Sequence, residues 1–161
     1  MLLSASIRWK ATYPGSVVGA LAMRRVANPE NSRTLDARKE ELETHLRSQY
    51  LSYARRELKS LPSLRPYAEY YRRFGKTYHV QLQLESVVFK GRGIPRVAAL
   101  VEAMFMAELS TLILTAGHDR DSVHGQLGVE KVHDHLDELK ANVLTITPDA
   151  EVEDLEVIIA R

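Results

Sequence analysis

A short basic turn is the first part of this sequence whose residue types suggest chemistry. Residues 89–96 read Phe-Lys-Gly-Arg-Gly-Ile-Pro-Arg, so two glycines flank Arg92 and a proline follows closely. Glycine lets the backbone turn sharply, and successive backbone N–H groups in such turns bind anions. Lys90 and Arg96 add positive charge to the same turn. It is therefore a candidate anion site, and anions include nucleic-acid phosphates.

Histidine and aspartate are concentrated further along the chain. The potential ligands there are His118, Asp119, Asp121, His124, His133, Asp134 and His135. A hydrolytic metal ion needs three or four such ligands around one point. On a helix, however, His133 and His135 would diverge by about 200°. We therefore favour solvated or capping roles over a metal site, and we predict no metal or other cofactor.

Two carboxylates interrupt an otherwise apolar segment. Residues 97–114 are apolar on nearly every side, which predicts a buried helix, and Glu102 and Glu108 are its only charges. A carboxylate in such a helix must be paired, exposed at one edge or raised in pKa. For Glu102 we favour pairing with a nearby arginine, and acid-base chemistry at a site is the alternative.

The composition restricts the classes of partner. The 161 residues include 22 Lys and Arg against 21 Asp and Glu, so the net charge of +1 does not by itself require a polyanionic partner. Basic residues are concentrated in residues 47–96, so nucleic-acid binding would need a local patch. The chain has no cysteine and hence no disulfide or thiolate zinc site. We expect one domain over residues 1–161 in a soluble, cytoplasmic protein that contacts no membrane.

The spacing of apolar residues predicts the strands. Four segments show the alternation typical of strands; they are residues 7–13, 16–26, 143–147 and 155–160. Residues 81–89 fit a strand or a helix. The apolar end of the last strand, residues 157–159, should be covered by another segment or by a second copy, because exposed apolar edges invite pairing. The second of these alternatives corresponds to a homo-oligomer through this edge.

Helical spacing marks three further segments. The first begins at Thr34 or Asp36 and runs to about Gln49, and helical character continues from there toward Leu58. The second covers residues 64–74, and the third covers residues 129–143. The first would bury a stripe that comprises Leu35, Leu42, Leu46 and Tyr50. Together with the strands, these helices predict an α/β (α+β) fold.

Aromatic and basic residues are mixed in the second helical segment. It contains Tyr67, Tyr70, Tyr71, Arg72, Arg73 and Phe74. Aromatic rings beside arginines could stack bases and bind phosphates. The alternative, which we favour, is that the tyrosines pack in the core with their hydroxyls reaching water.

The order of several segments resembles a known family. The segments read Tyr-Pro-Gly followed by Val-Val-Gly-Ala-Leu, then Tyr-Tyr-Arg-Arg-Phe-Gly, then Lys-Gly-Arg-Gly-Ile-Pro-Arg-Val, and later Gly-His-Asp-Arg-Asp. Over about residues 7–123 they resemble the free-standing form of the B3/4 domain of the phenylalanyl-tRNA synthetase beta subunit. The resemblance implies a sheet or β-sandwich-like core with packed helices. It also favours a helix at residues 81–89.

The same resemblance implies a pocket that contacts RNA and, in the synthetase, hydrolyses wrongly charged tRNA. Its lining here would be Gly91, Gly93, Pro95, Met104, Phe105, Ala116 and Gly117. Met104 and Phe105 stand where the synthetase helix has a Thr-Asn pair, and Ala116 stands where its turn has a histidine. The candidate acid-base residues that remain are His118, Asp119 and Glu102. Residues 124–161 depart from the family and lack its C-terminal segment.

We therefore expect an RNA-binding relative of the editing domain that is weakly catalytic or non-catalytic. Its partner would be tRNA or aminoacyl-tRNA, and the residues on phosphate would be Lys90, Arg92, Arg96, Arg72 and Arg73. One alternative is an enzyme that deacylates mischarged tRNA in trans. The other is a small-molecule or protein-binding module on the same fold.

Overall fold

The computed structural model describes residues 7–12, 14–15, 17–117 and 133–159. In these ranges the chain forms seven helices and one two-stranded sheet, which makes it an α+β structure. In chain order the elements are α1 (Ile7–Thr12), β1 (Val17–Arg24), α2 (Arg33–Gln49), α3 (Arg55–Lys59), α4 (Arg65–Arg72), α5 (His79–Lys90), α6 (Ala99–Thr111), α7 (His133–Ile146) and β2 (Glu151–Ile159). Among these helices, none combines the length and apolar character that crossing a bilayer requires.

Helices, and not a sheet, enclose the core. Helix α6 is buried because α2, α5 and α7 pack around it, as its apolar character on nearly every side predicted. The largest buried side chains come from these helices and the segments between them, such as Leu35, Leu84 and Leu109. The expected sheet or β-sandwich-like core is therefore wrong. Two strands have too little surface to cover an apolar helix, whereas three neighbouring helices cover it.

The sheet joins two segments that are distant in sequence. Strands β1 and β2 are antiparallel, and their register runs from Val17 opposite Ile159 to Arg24 opposite Glu151. Because a lone strand pair is marginally stable in water, it needs support from the rest of the fold. Helix α7 contacts β1, and Val18 is buried. The edge at residues 157–159 is thus paired on one side with β1.

Two predicted strands are helical in the structure. Residues 7–12 form α1, in which Ile7 is 88% exposed, so the apolar alternation there does not reflect burial. A strand needs a neighbour to satisfy its backbone, whereas a helical turn satisfies its own. Residues 143–146 form the end of α7, where Asn142 and Val143 are buried. The prediction of strands at both places is wrong.

The predicted helices are largely confirmed. Helix α2 buries the predicted apolar stripe along one side, although its N-cap is Ser32, whose hydroxyl accepts the Leu35 N–H at 3.3 Å. Residues 79–90 are helical, as the family resemblance implied. The helical character does not continue unbroken to Leu58, because the chain turns at residues 50–54 before α3 begins.

Candidate functional site

The glycine turn begins where α5 ends. Gly91 adopts the left-handed conformation, with φ of 64°, and the Arg92 N–H donates to the Ser86 carbonyl at 3.1 Å. The Gly91 N–H donates to the same carbonyl. Glycine is preferred at such a left-handed helix end because other side chains are strained there. The predicted sharp turn in the backbone is therefore present, and Gly91 provides it.

Two side chains of α2 fix this turn. The Arg47 guanidinium donates to the carbonyls of Val87 and Arg92, each at 3.2 Å. The Glu43 carboxylate accepts the Ile94 N–H at 2.7 Å and also binds Arg47 at 3.1 Å. A carboxylate of the protein itself thus accepts the hydrogen bond of one backbone N–H in the turn. The Ile94 N–H is therefore not available to an external anion.

Gly93 has a specific steric role in the turn. A Cβ atom at this position would lie 3.2 Å from Glu43 Oε1. Such an approach is closer than an ordinary van der Waals contact. The glycine therefore lets Glu43 come close enough to bind the next N–H, which belongs to Ile94.

The structure divides the predicted phosphate-binding residues into two groups. Lys90 and Arg92 are exposed and make no ion pair within the described residues, while Arg96, 68% exposed, lies 3.7 Å from Asp36. Arg72 and Arg73 precede α5, and Lys90 is its last residue. Because α5 has 12 residues, its ends are about 18 Å apart. The five cations therefore do not form one compact patch.

A small cavity lies beside the turn. Its volume is about 270 Å³, and its lining includes Gly93 and Pro95, from the predicted pocket, and Arg92, which was predicted to bind phosphate. Residues of α5 and α6 complete the wall; they are Leu82, Gln83, Ser86, Val87 and Leu109, with Ile94 from the turn. Gln83 Oε1 is buried and has no hydrogen-bond partner among the described residues. The cavity is thus mainly apolar, and the Gln83 oxygen is not accessible from it.

The other predicted lining residues do not reach this cavity. The Met104 thioether lies against Gly117, with its sulfur 2.6 Å from where a Cβ atom of Gly117 would be. Phe105 packs against the core cluster, and Ala116 is exposed. Met104 therefore fills the space between α6 and residues 116–117. The cavity opens from the turn toward α5 instead.

Glu102 has structural partners for both carboxylate oxygens. One oxygen accepts the Val97 N–H at 2.8 Å, and the other binds the Lys39 ammonium. Lys39 also lies 2.8 Å from Asp36, and this hydrogen bond holds the pKa of Asp36 below its ordinary value. The partner of Glu102 is therefore a lysine and not the expected arginine. These contacts favour the structural role over acid-base chemistry.

A histidine and a carboxylate lie close together at the opposite end of α5, and this pair was not predicted from the sequence. His79 Nε2, on a side chain that is 44% exposed, lies 3.7 Å from Glu108 Oε2. Burial raises the pKa of Glu108, although the Thr115 N–H, at 2.9 Å, and His79 oppose the shift. The one sequence feature that pointed to this pair was the charged residue Glu108 within an apolar segment. The pair lies away from the glycine turn and does not line the cavity.

The remaining predicted site residues are outside the described ranges. His118 and Asp119 are among them, as are Asp121 and His124. Within the residues that the structure describes, no three side chains of His, Asp or Glu are grouped to bind a metal ion.

Comparison with family models, with curated proteins and with solved structures gave no match to this chain.

Proposed function

We propose that this chain binds RNA, with tRNA or aminoacyl-tRNA as its partner, as a weakly catalytic or non-catalytic relative of the synthetase editing domain. The observation that carries the proposal is the pair of exposed cations, Lys90 and Arg92, at a turn fixed on α2 by Arg47 and Glu43. Cations bind RNA by neutralising phosphates. A turn that is already ordered loses little conformational freedom on binding.

The cavity beside the turn supports an aminoacylated partner. Because a cavity of about 150 Å³ holds benzene, the present volume of about 270 Å³ accommodates one apolar or aromatic amino-acid side chain. Arg92 lines this cavity. A phosphate bound to Arg92 would therefore lie next to a group inside the cavity.

The character of the cavity supports weak or absent catalysis. Its described lining includes neither a histidine nor a carboxylate. Hydrolysis of an ester requires a group that accepts a proton from the attacking water, and both oxygens of Glu102 are engaged. Deacylation in trans is the less favoured alternative. Amino acid released from aminoacyl-tRNA by the wild type, but not by His118→Ala, would favour it.

Equilibrium binding of tRNA over a series of salt concentrations tests the proposal. We expect log K to fall linearly with log salt, and the double variant Lys90→Ala/Arg92→Ala to reduce the magnitude of the slope by about 1 to 2. The matched control is Arg56→Ala/Lys59→Ala, which removes two exposed cations of α3. Equal losses in both double variants would contradict the proposal, because binding would then follow total charge.

The mainly apolar cavity favours a second candidate function, which is binding of a small apolar molecule. We expect toluene to raise the thermal unfolding midpoint of the wild type. An unchanged midpoint at saturating toluene would contradict this function.

A further inference from the structure

The end of α4 carries an exposed pair of aromatic rings. Phe74 is 63% exposed and Tyr70 is 39% exposed, and their ring centroids are 5.3 Å apart at an angle of 61°. Exposed apolar groups at single positions are common in proteins. Two adjacent aromatic rings that are partly exposed form a surface on which another planar group can stack. We call Tyr70 and Phe74 the aromatic pair.

The aromatic pair is anchored to the core. Tyr67 stacks on the fully buried Tyr78 with centroids 4.5 Å apart, and Tyr71 contacts the same ring at 5.4 Å. The turn that follows is also ordered, because the Phe74 N–H and the Lys76 N–H donate to the Tyr71 carbonyl at 3.0 and 3.1 Å. The rings of the pair are therefore held by a rigid support. Of the four aromatic residues of this segment, two serve the core and two face solvent.

Unpaired positive charge lies close to the aromatic pair in the sequence. Arg72, Arg73 and Lys76 are exposed and make no ion pair within the described part of the chain. The nearby Glu69 is bound to Arg65 at 3.1 Å. A ligand that complements this surface must combine negative charge with planar apolar faces. Single-stranded nucleic acid has both, because its bases are unstacked and its phosphates are regularly spaced.

We propose that the aromatic pair is a stacking surface for unpaired bases of single-stranded RNA, with Arg73 on the neighbouring phosphate. The inference rests on the proposed RNA-binding function and specifies the form of the RNA. Arg73 is three residues after Tyr70, and side chains at this spacing share a helix face. Arg72, at a spacing of two, does not face Tyr70. The two adjacent arginines therefore contribute unequally to binding.

Fluorescence anisotropy with a labelled single-stranded oligouridylate, whose bases stack little on one another, and with a blunt RNA duplex of the same length tests the inference. We expect Phe74→Ala to weaken binding of the single strand about tenfold and to change duplex binding by less than about twofold, because duplex bases are not available for stacking. Phe74→Trp should retain binding. Phe74→Leu keeps an apolar side chain but loses the π face, so its affinity should fall as in Phe74→Ala.

Matched controls exclude general effects of truncation and of charge. Leu51 is 85% exposed and lies in the turn between α2 and α3 and not at the aromatic pair, so Leu51→Ala should leave binding unchanged. Arg73→Ala should weaken binding of the single strand more than Arg72→Ala. Full affinity for the single strand in Phe74→Leu would overturn the inference. So would equal losses of affinity in Arg72→Ala and Arg73→Ala, if Phe74→Ala also left the affinity unchanged.

The same measurements separate this inference from the proposed function. If Phe74→Ala binds single strands normally while Lys90→Ala/Arg92→Ala loses affinity, the stacking surface is wrong and RNA binding stands. If the wild type binds neither RNA at low salt, both proposals fail, and the aromatic pair is then a surface for a protein partner.

Discussion

Replacing Lys39 with methionine should destabilise this chain strongly. Lys39 is only 3% exposed, and its ammonium binds Asp36 at 2.8 Å and also the buried Glu102. Burial alone would lower the pKa of Lys39, but the hydrogen bonds with Asp36 and Glu102 raise it above its ordinary value, so the lysine is charged. Lys39→Met preserves the length of the side chain but leaves the Glu102 carboxylate buried without its cation.

The loss of unfolding free energy in Lys39→Met follows from the contacts of Glu102. Removing one partner of a buried ion pair costs about 3–5 kcal/mol. We expect the lower limit, about 3 kcal/mol, because Glu102 keeps its hydrogen bond from the Val97 N–H at 2.8 Å. With a urea m-value of about 2 kcal/mol/M, this loss lowers the unfolding midpoint by about 1.5 M.

Urea unfolding followed by far-ultraviolet circular dichroism measures the loss. The double variant Lys39→Met/Glu102→Gln removes the unpaired charge and keeps an acceptor for Val97, so it should recover more than half of the lost stability. Lys59→Met, an exposed control on α3, should change stability by less than about 0.5 kcal/mol. A cost below about 1 kcal/mol for Lys39→Met, or no recovery in the double variant, would refute the reasoning.

Three other predictions test separate contacts. Burial raises the pKa of Glu108, so the stability contributed by its protonated form is present below its ordinary pKa and is lost as the pH rises through the raised value. In urea unfolding, the free energy of unfolding of Glu108→Gln should therefore be about 1 kcal/mol higher than that of the wild type at about pH 8 and equal to it at about pH 4. Equal pH profiles of the two proteins would contradict this. Gly117→Ala should cost less than about 0.5 kcal/mol, because its Cβ would lie 2.6 Å from the Met104 sulfur, which is near the end of a flexible side chain and can move away; a loss above about 1 kcal/mol in thermal unfolding would show that Met104 is held in place. Glu43→Ala removes the acceptor of the Ile94 N–H, so hydrogen exchange of that amide should accelerate about tenfold or more; unchanged protection would show that the turn does not depend on Glu43.

Local spacing was sufficient to predict most of the helices. The stripe of Leu35, Leu46 and Tyr50 is buried on one side of α2, and the absence of any polar side on α6 corresponds to a helix with neighbours all around it. These properties depend on side chains three or four residues apart, which the helix brings together whatever the rest of the fold does.

Strand positions and the core were harder to predict, because a strand depends on its partner. Residues 17–24 and 151–159 form strands by pairing with each other across most of the chain length. Residues 7–12 have a similar pattern but form a helix. Alternation of apolar residues therefore predicted a strand only where another strand was available to complete its hydrogen bonds.

In the candidate site, too, features of one segment were predictable from the sequence, whereas contacts between segments were not. The basic residues of the turn, its glycines and its proline were evident from residue type, and three of them line the cavity. The partners from α2 were not evident, since Glu43 lies 51 residues from Ile94. Spacing along the chain gives no information about such a contact.

The sequence by itself determined that a buried helix lies within residues 97–114, that a basic turn lies within residues 89–96, and that Glu102 needs a partner. These conclusions follow from burial and charge, which are properties of each segment. Only the tertiary structure decided that the partner is Lys39, that Glu43 occupies an N–H of the turn, and that Met104 fills the space beside Gly117. Each of these contacts joins side chains from different segments, so it depends on how those segments pack together.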